Sequence, residues 1–244
     1  MRIVSWNCNG AFGKKFHLVE SLGADIAVIQ ECGDPSYSSA PYSTWARNSL
    51  WTGNNKHKGL GIFARPEISM ERLDWDSNSL ELFLPCRIND DFNLLGVWTK
   101  QANSPNFAYI GQFWKYLQAY KEKLSAGKAI VCGDFNSNKR WDEWDRWWNH
   151  TDVVRELEEI NITSVYHHIM NEEQGQESCP TFYMRRKPDS PYHIDYFFVS
   201  RSLLGKVTQL EIGKHEDWLK HSDHVPLIVD IEQCRSLDRD LSLT

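Results

Sequence analysis

Residues 128–136, KAIVCGDFN, form a short apolar run of strand-forming residues that ends in an acid, Asp134, and an amide, Asn136, that a strand does not need. The same ending recurs. RIVSWN closes on Asn7 and DIAVIQE on Glu31, so three strand-like runs each deliver a polar residue to one end. A sheet holds such residues rigidly while the adjoining loop leaves them open to solvent, which is where ligand-binding groups collect.

Working outward, further strand patterns fall at 2–6, 25–30, 60–64, 80–88, 92–99, 193–199 and 225–231. Helical periodicity is rarer, at 14–22, at 109–124 with Ile110, Phe113, Leu117 and Tyr120 on one stripe, and at 151–160 behind a capping threonine. Strands in runs of two or three, broken by single helices, fit two sheets packed face to face with helices outside better than strict βαβ alternation. The expectation is a layered α/β sandwich formed as one domain over residues 1–233, followed by a polar, flexible tail at 234–244. With 244 residues and 41% hydrophobic content, the chain is long enough to bury a sizeable core.

The net charge of −6 excludes a general positive field toward nucleic acid or anionic lipid, so any polyanion must meet a local basic patch. The six cysteines are scattered without a CxxC pair, which reads as reduced thiols in a cytoplasmic protein. No signal-peptide core or bilayer-length apolar run stands out, so no membrane partner is expected. The sequons at Asn149 and Asn161 then read as chance matches.

Two more clusters lie late in the chain: Asp195 in HIDYFFVS, and Asp223 with His224 in HSDHVPLIVDI. An Asp inside an apolar strand is costly unless paired, and His224 is its candidate partner. Hard oxygen donors without paired cysteines or an HExxH pattern suit Mg²⁺, or Mn²⁺, rather than zinc. Together these groups point to metal-assisted phosphoester hydrolysis.

The motifs SWNCNG, IQE, GDFNS, HIDYF and SDHVPL, in that order over nearly the whole chain, resemble those of the endonuclease/exonuclease/phosphatase superfamily, in particular its exonuclease III and abasic-site endonuclease branch. The resemblance implies a four-layered αββα sandwich of two mainly antiparallel sheets and a DNA nuclease. It further implies Glu31 as the principal metal ligand assisted by Asp223, with Asn7 holding phosphate or metal-bound water. Asp134 would orient or deprotonate the attacking water with its geometry fixed by Asn136, and His224, oriented by Asp195, would bind the scissile phosphate. Whether Asp134 or His224 is the base stays open. Asn9, counted with the metal set, stands where abasic-site endonucleases can carry an Asp. The lysine that often follows QE in that branch is absent. Lys100 occupies the region of a phosphate-contacting residue. An alternative within the same chemistry is a phosphatase or phosphodiesterase for a lipid headgroup, inositol phosphate or nucleotide.

Arg185 and Arg186, with Lys187, precede HIDYF and are positioned to reach a polyanion. In WDEWDRWWNHTD, Trp141, Trp144 and Trp148 share one face if the segment is helical. The interleaved Asp142, Glu143 and Asp145 argue for packing over the sandwich edge rather than for stacking on nucleic acid.

Overall fold

A computed structural model describes residues 1–75, 80–102, 104 and 106–232. The expected tail at 234–244, with Cys234, lies outside the described residues. The strands are β1 Arg2–Asn7, β2 Ile26–Cys32, β3 Ser49–Asn55, β4 Lys58–Ala64, β5 Met70–Arg72, β6 Phe83–Ile88, β7 Phe92–Trp98, β8 Ala129–Asp134, β9 Ile162–Ser164, β10 Phe182–Tyr183, β11 Pro191–Tyr192, β12 Asp195–Ser200, β13 Val207–Ile212 and β14 Leu227–Ile231. The helices are α1 Phe16–Ser21, α2 Tyr42–Trp45, α3 Ile110–Ser125, α4 His150–Glu159, α5 Val165–Met170, α6 Arg201–Leu204 and α7 His215–Trp218.

Two six-stranded sheets result, one ordered β13-β14-β1-β2-β4-β3 and the other β5-β6-β7-β8-β12-β9. Each contains one parallel pair, β1 with β2 and β7 with β8, and is otherwise antiparallel. Ile26 and Val28 of β2 meet Ile130 and Cys132 of β8 in the apolar layer between the sheets. Their neighbours turn outward: Ala27 and Ile29 pack with Phe12, Val19 and Tyr42, and Val131 packs with Phe113, Leu117 and Leu157. Strands buried on both faces read as unbroken apolar runs, and this is why the central strands were legible without alternation. The four-layer expectation holds.

Several details differ from the sequence reading. DIAVIQE does not end at Glu31; β2 continues to Cys32 through a register shift between Gln30 and Cys32, and Glu31 sits in that bulge with φ of 63°. The helix at 150–159 is capped not by Thr151 but by Asn149, in a reciprocal box with Asp152. Trp141, Trp144 and Trp148 do not share a helical face, since only Lys139–Trp141 forms a short 3-10 turn and the following residues turn irregularly.

One glycine is required where the strands approach most closely. Gly133 has φ of 149° and faces Val97 across the parallel pair, where an added Cβ would lie 1.8 Å from the Val97 carbonyl oxygen. It fixes the path of the next residue, Asp134.

Candidate active site

The sheet registers gather the polar residues before any side chain is considered. Asp134 lies opposite Trp98 on one side and Asp195 on the other. In the other sheet Asn7 pairs with Gln30, one residue before Glu31. An isolated bridge between Phe182 and His224 then ties the entry to β14 to β10.

Asn7 spans the two sheets. Its Nδ2 donates to Asp134 Oδ2 at 2.9 Å, and its Oδ1 accepts the Asn9 backbone N–H at 3.0 Å. Asn136 closes on the same carboxylate from the other side, its backbone N–H reaching Asp134 Oδ1 at 2.8 Å and its Nδ2 reaching Oδ2 at 3.0 Å. Asp134 is thus buried and accepts three hydrogen bonds, two at Oδ2 and one at Oδ1, which leaves its one open acceptor position on Oδ1.

His224 is likewise buried, with Nδ1 2.9 Å from Asp195 Oδ2. Its Nε2 stands 3.9 Å from Asp134 Oδ2, too long for a hydrogen bond and of the size that a water or substrate oxygen bridges. Burial alone opposes a charge on the ring, but the carboxylates of Asp195 and Asp134 outweigh it and lift His224 to about 9. Burial pushes Asp134 up to about 7, although His224 pulls it back. Near neutrality the pair can therefore present a proton donor and a proton acceptor facing one gap.

Sequence reasoning missed the supports behind this pair. The buried Ser222 hydroxyl donates to the Asn7 carbonyl at 2.7 Å and accepts the His224 N–H at 3.1 Å, while the Trp6 indole donates to the His224 carbonyl at 3.0 Å. Thr181 accepts the N–H groups of Ile194 and Asp195. No local pattern marks such residues; only the pairing of distant strands brings them in.

On the more open side, Glu31 receives the Lys58 ammonium at 2.9 Å, and Asn9 Nδ2 donates to Asp223 Oδ1 at 2.7 Å. Lys58 supplies from β4 the cation that does not follow QE in the sequence. Both Lys58 and Lys100 lie over the Trp98 ring, at 5.8 and 4.8 Å, so Lys100 is drawn to the same edge. Arg185 and Arg186 are exposed and adopt φ of 55° and 59°, and Arg186 donates to the Lys220 carbonyl at 3.4 Å rather than, among the described residues, to the buried cluster.

Two donor sets bear on a divalent ion. Asp134, Asp195 and His224 offer atoms within 4.8 Å of one another, but an ion between them would compete with the Asp195–His224 bond and the amide donors on Asp134. Glu31, Asp223 and Asn9 are oxygen donors near the surface with the buried Asn7 behind them, and the Lys58 ammonium already stands on Glu31 as a cation would. The second set fits a hard ion better.

The family model for the Endonuclease/Exonuclease/phosphatase family matches residues 4–224. No curated protein matches the chain by sequence. Among solved structures, the 3′ phosphatase NExo from Neisseria bound to a product DNA hairpin is 16% identical with a TM-score of 0.69, covering 96% of this chain and 100% of that one. An AP endonuclease from Archaeoglobus fulgidus is 19% identical with a TM-score of 0.69 and the same coverage. The APE2 catalytic domain of Xenopus laevis is 16% identical with a TM-score of 0.65, covering 95% of this chain and 91% of that one. At these identities the likeness is one of fold.

Proposed function

The chain belongs to the endonuclease/exonuclease/phosphatase family, and from that premise we propose that it is a divalent-metal-dependent phosphodiester hydrolase, a DNA nuclease of exonuclease III type working as one domain. The observation that carries this reading is the 3.9 Å gap between His224 Nε2 and Asp134 Oδ2, walled by Asn7 and Asn136. An attacking water seated beside that gap meets Asp134 Oδ1, whose remaining lone pair is aimed by the three donors on the carboxylate. Asp134, buried and raised toward neutrality, takes the proton of that water. His224, kept protonated by Asp195, donates from Nε2 to a phosphate oxygen as charge builds on it, and as the water oxygen bonds to phosphorus the ester P–O bond opposite it breaks, its oxygen leaving as an alcohol with a proton from solvent. Asn7 Nδ2 and Asn136 Nδ2 hold Asp134 in place throughout.

Glu31 with Asp223, supported by Asn7 and Asn9, would hold Mg²⁺, with Mn²⁺ as a substitute; when bound, the ion neutralises charge on the phosphate. Asn9 brings no charge of its own, and its hydrogen bond to Asp223 orients that carboxylate. Lys58, which shares the Trp98 ring with Lys100, would with it face the phosphate backbone, with Arg185 and Arg186 further out. Among the described residues no helix is long and apolar enough to cross a membrane. The free thiols of Cys8, Cys32, Cys86 and Cys132 are buried, which suits a reducing cytoplasm.

The test is Mg²⁺- and Mn²⁺-dependent hydrolysis of labelled single-stranded, duplex, nicked and abasic-site oligonucleotides, with phosphoinositides and nucleotides alongside. Cleavage of an oligonucleotide that both Glu31→Gln and His224→Asn reduce by at least about 10²-fold is the expected result. Turnover of only the small or lipid substrates would remove the DNA assignment and keep the chemistry.

A further inference from the structure

The segment that follows Asn138 takes no part in the chemistry above, yet it holds three of the most exposed apolar side chains among the described residues: Trp141, Trp144 and Trp147, at 46%, 97% and 63% exposure. Trp148 anchors the segment. It lies 4.4 Å from the Phe107 ring, with Trp147 standing edge-on to it at 4.7 Å. The loop is also organised from within, because the Asn149 side chain accepts the Glu143 N–H and donates to the carbonyls of Glu143 and Arg146.

The acids between these rings are largely committed elsewhere. Asp142 accepts the N–H groups of His150 and Thr151 at the start of α4, and Glu143 pairs with Arg146 at 3.3 Å. Of the three acids only Asp142, turned to the start of α4, and Asp145 keep an unpaired charge, and Lys139 and Arg140 just ahead of Trp141 match them.

A second observation joins the loop to the site. Trp141 lies 5.3 Å from Tyr192, Tyr192 lies 6.2 Å from Phe182, and Phe182 lies 4.7 Å from the His224 imidazole. Tyr192 also walls a cleft of about 220 Å³ bordered by Arg140, Pro180 and Pro191. Rings therefore follow one another without a break from solvent to the group assigned to the scissile phosphate.

We propose that Trp141, with Trp144 and Trp147 beyond it, is a stacking shelf for the unpaired bases of a single-stranded nucleic acid that enters the site, an inference that rests on the nucleic-acid reading above. Stacking on an aromatic face tolerates any base but requires an exposed π-face, which a paired and stacked duplex does not offer. The shelf thereby selects an unpaired strand over an intact duplex. It also answers the charge balance. With a net charge of −6 the protein has no overall field to draw a polyanion, so short-range stacking carries a larger share of the affinity.

The experiment compares wild type with Trp141→Ala, Trp144→Ala and the rescue variant Trp141→Phe, reading the anisotropy of labelled oligo-dT, oligo-U and a blunt hairpin without divalent metal. Thermal melts check the fold of each variant. Wild type should prefer the single strands, with oligo-dT and oligo-U separating DNA from RNA as the source of the bases. Each alanine should weaken single-strand binding by about fivefold or more, narrowing the preference over the hairpin, while Trp141→Phe restores most of it. Bound oligonucleotide should also shield tryptophan fluorescence from acrylamide. Folded alanine variants that bind single strands as wild type does would overturn the shelf alone. Wild type that binds neither strand form and cleaves no oligonucleotide would overturn the nucleic-acid reading and the shelf with it.

Discussion

Strand β12 has one buried histidine on one face and a group of three on the other, and the two faces behave in opposite ways. On the Asp195 face, His224 lies between two carboxylates and is lifted to about 9. On the Tyr196 face, His150, His167 and His193 surround the tyrosine ring at 5.0, 6.3 and 4.9 Å. There burial wins: His150 is pushed down to about 4 and His193 is also lowered. Glu177 is the carboxylate that hydrogen-bonds within this second cluster, and donors from His167, Asn138 and Gly175 outweigh its burial and hold it near 2. Burial, shared by His224 and His150, does not decide whether an imidazole is charged; the number and placement of carboxylates around it do.

The largest expected effect comes from removing charge on the first face. Asp195→Asn keeps the shape but takes away one of the carboxylates that hold His224 protonated, and hydrolysis should fall by about 10²–10⁴-fold in steady-state assays. The pH profile sharpens the same contrast. In wild type, activity should rise with the ionisation of Asp134 up to about pH 7 and decline as His224 loses its proton above about pH 9. In Asp195→Asn the alkaline limb should move to lower pH, and an unmoved limb would break the assignment.

The second face should appear in stability rather than rate. His150 titrates near 4 when folded and near 6.5 when unfolded, so the unfolded chain binds the extra proton between those values. The contribution is fully present above pH 6.5 and is lost as pH falls toward 4, about 3 kcal/mol in all, measurable by denaturant titration across that window. Smaller still is Glu177→Gln, which should destabilise the fold by about 1–3 kcal/mol through unmatched donors while leaving hydrolysis within a few-fold of wild type.

The first face was largely legible in the sequence and the second was not. Asn7, Asp134, Asn136, Asp195 and His224 each stand in or beside an apolar run, where a polar residue is conspicuous. His150 and His193 carry no such contrast, and the spacing of His167 suggested nothing, because these rings meet only when α4, α5 and β12 pack. Lys58, with Lys56, reads in the sequence only as a weak basic cluster, since its approach to Glu31 depends on Cys32 lying opposite Gly59. Strands β3 and β13 were missed because they form sheet edges, with exposed residues such as Asn54, Thr208 and Glu211 interrupting the apolar signal.

The hydrogen bond from Asn7 to Asp134, like that between His224 and Asp195, crosses between the two sheets at one edge of an interface whose middle is apolar and without direction. Greasy layers resist separation far better than they resist slip. The carboxylate proposed as the base is thus a gauge of shear: a small slide of one sheet over the other would leave secondary structure and compactness almost untouched but turn Asp134 out of its aim. Turnover is consequently expected to be lost at a lower dose of heat or denaturant than the fold itself, a gap that activity and circular dichroism followed on one sample would expose.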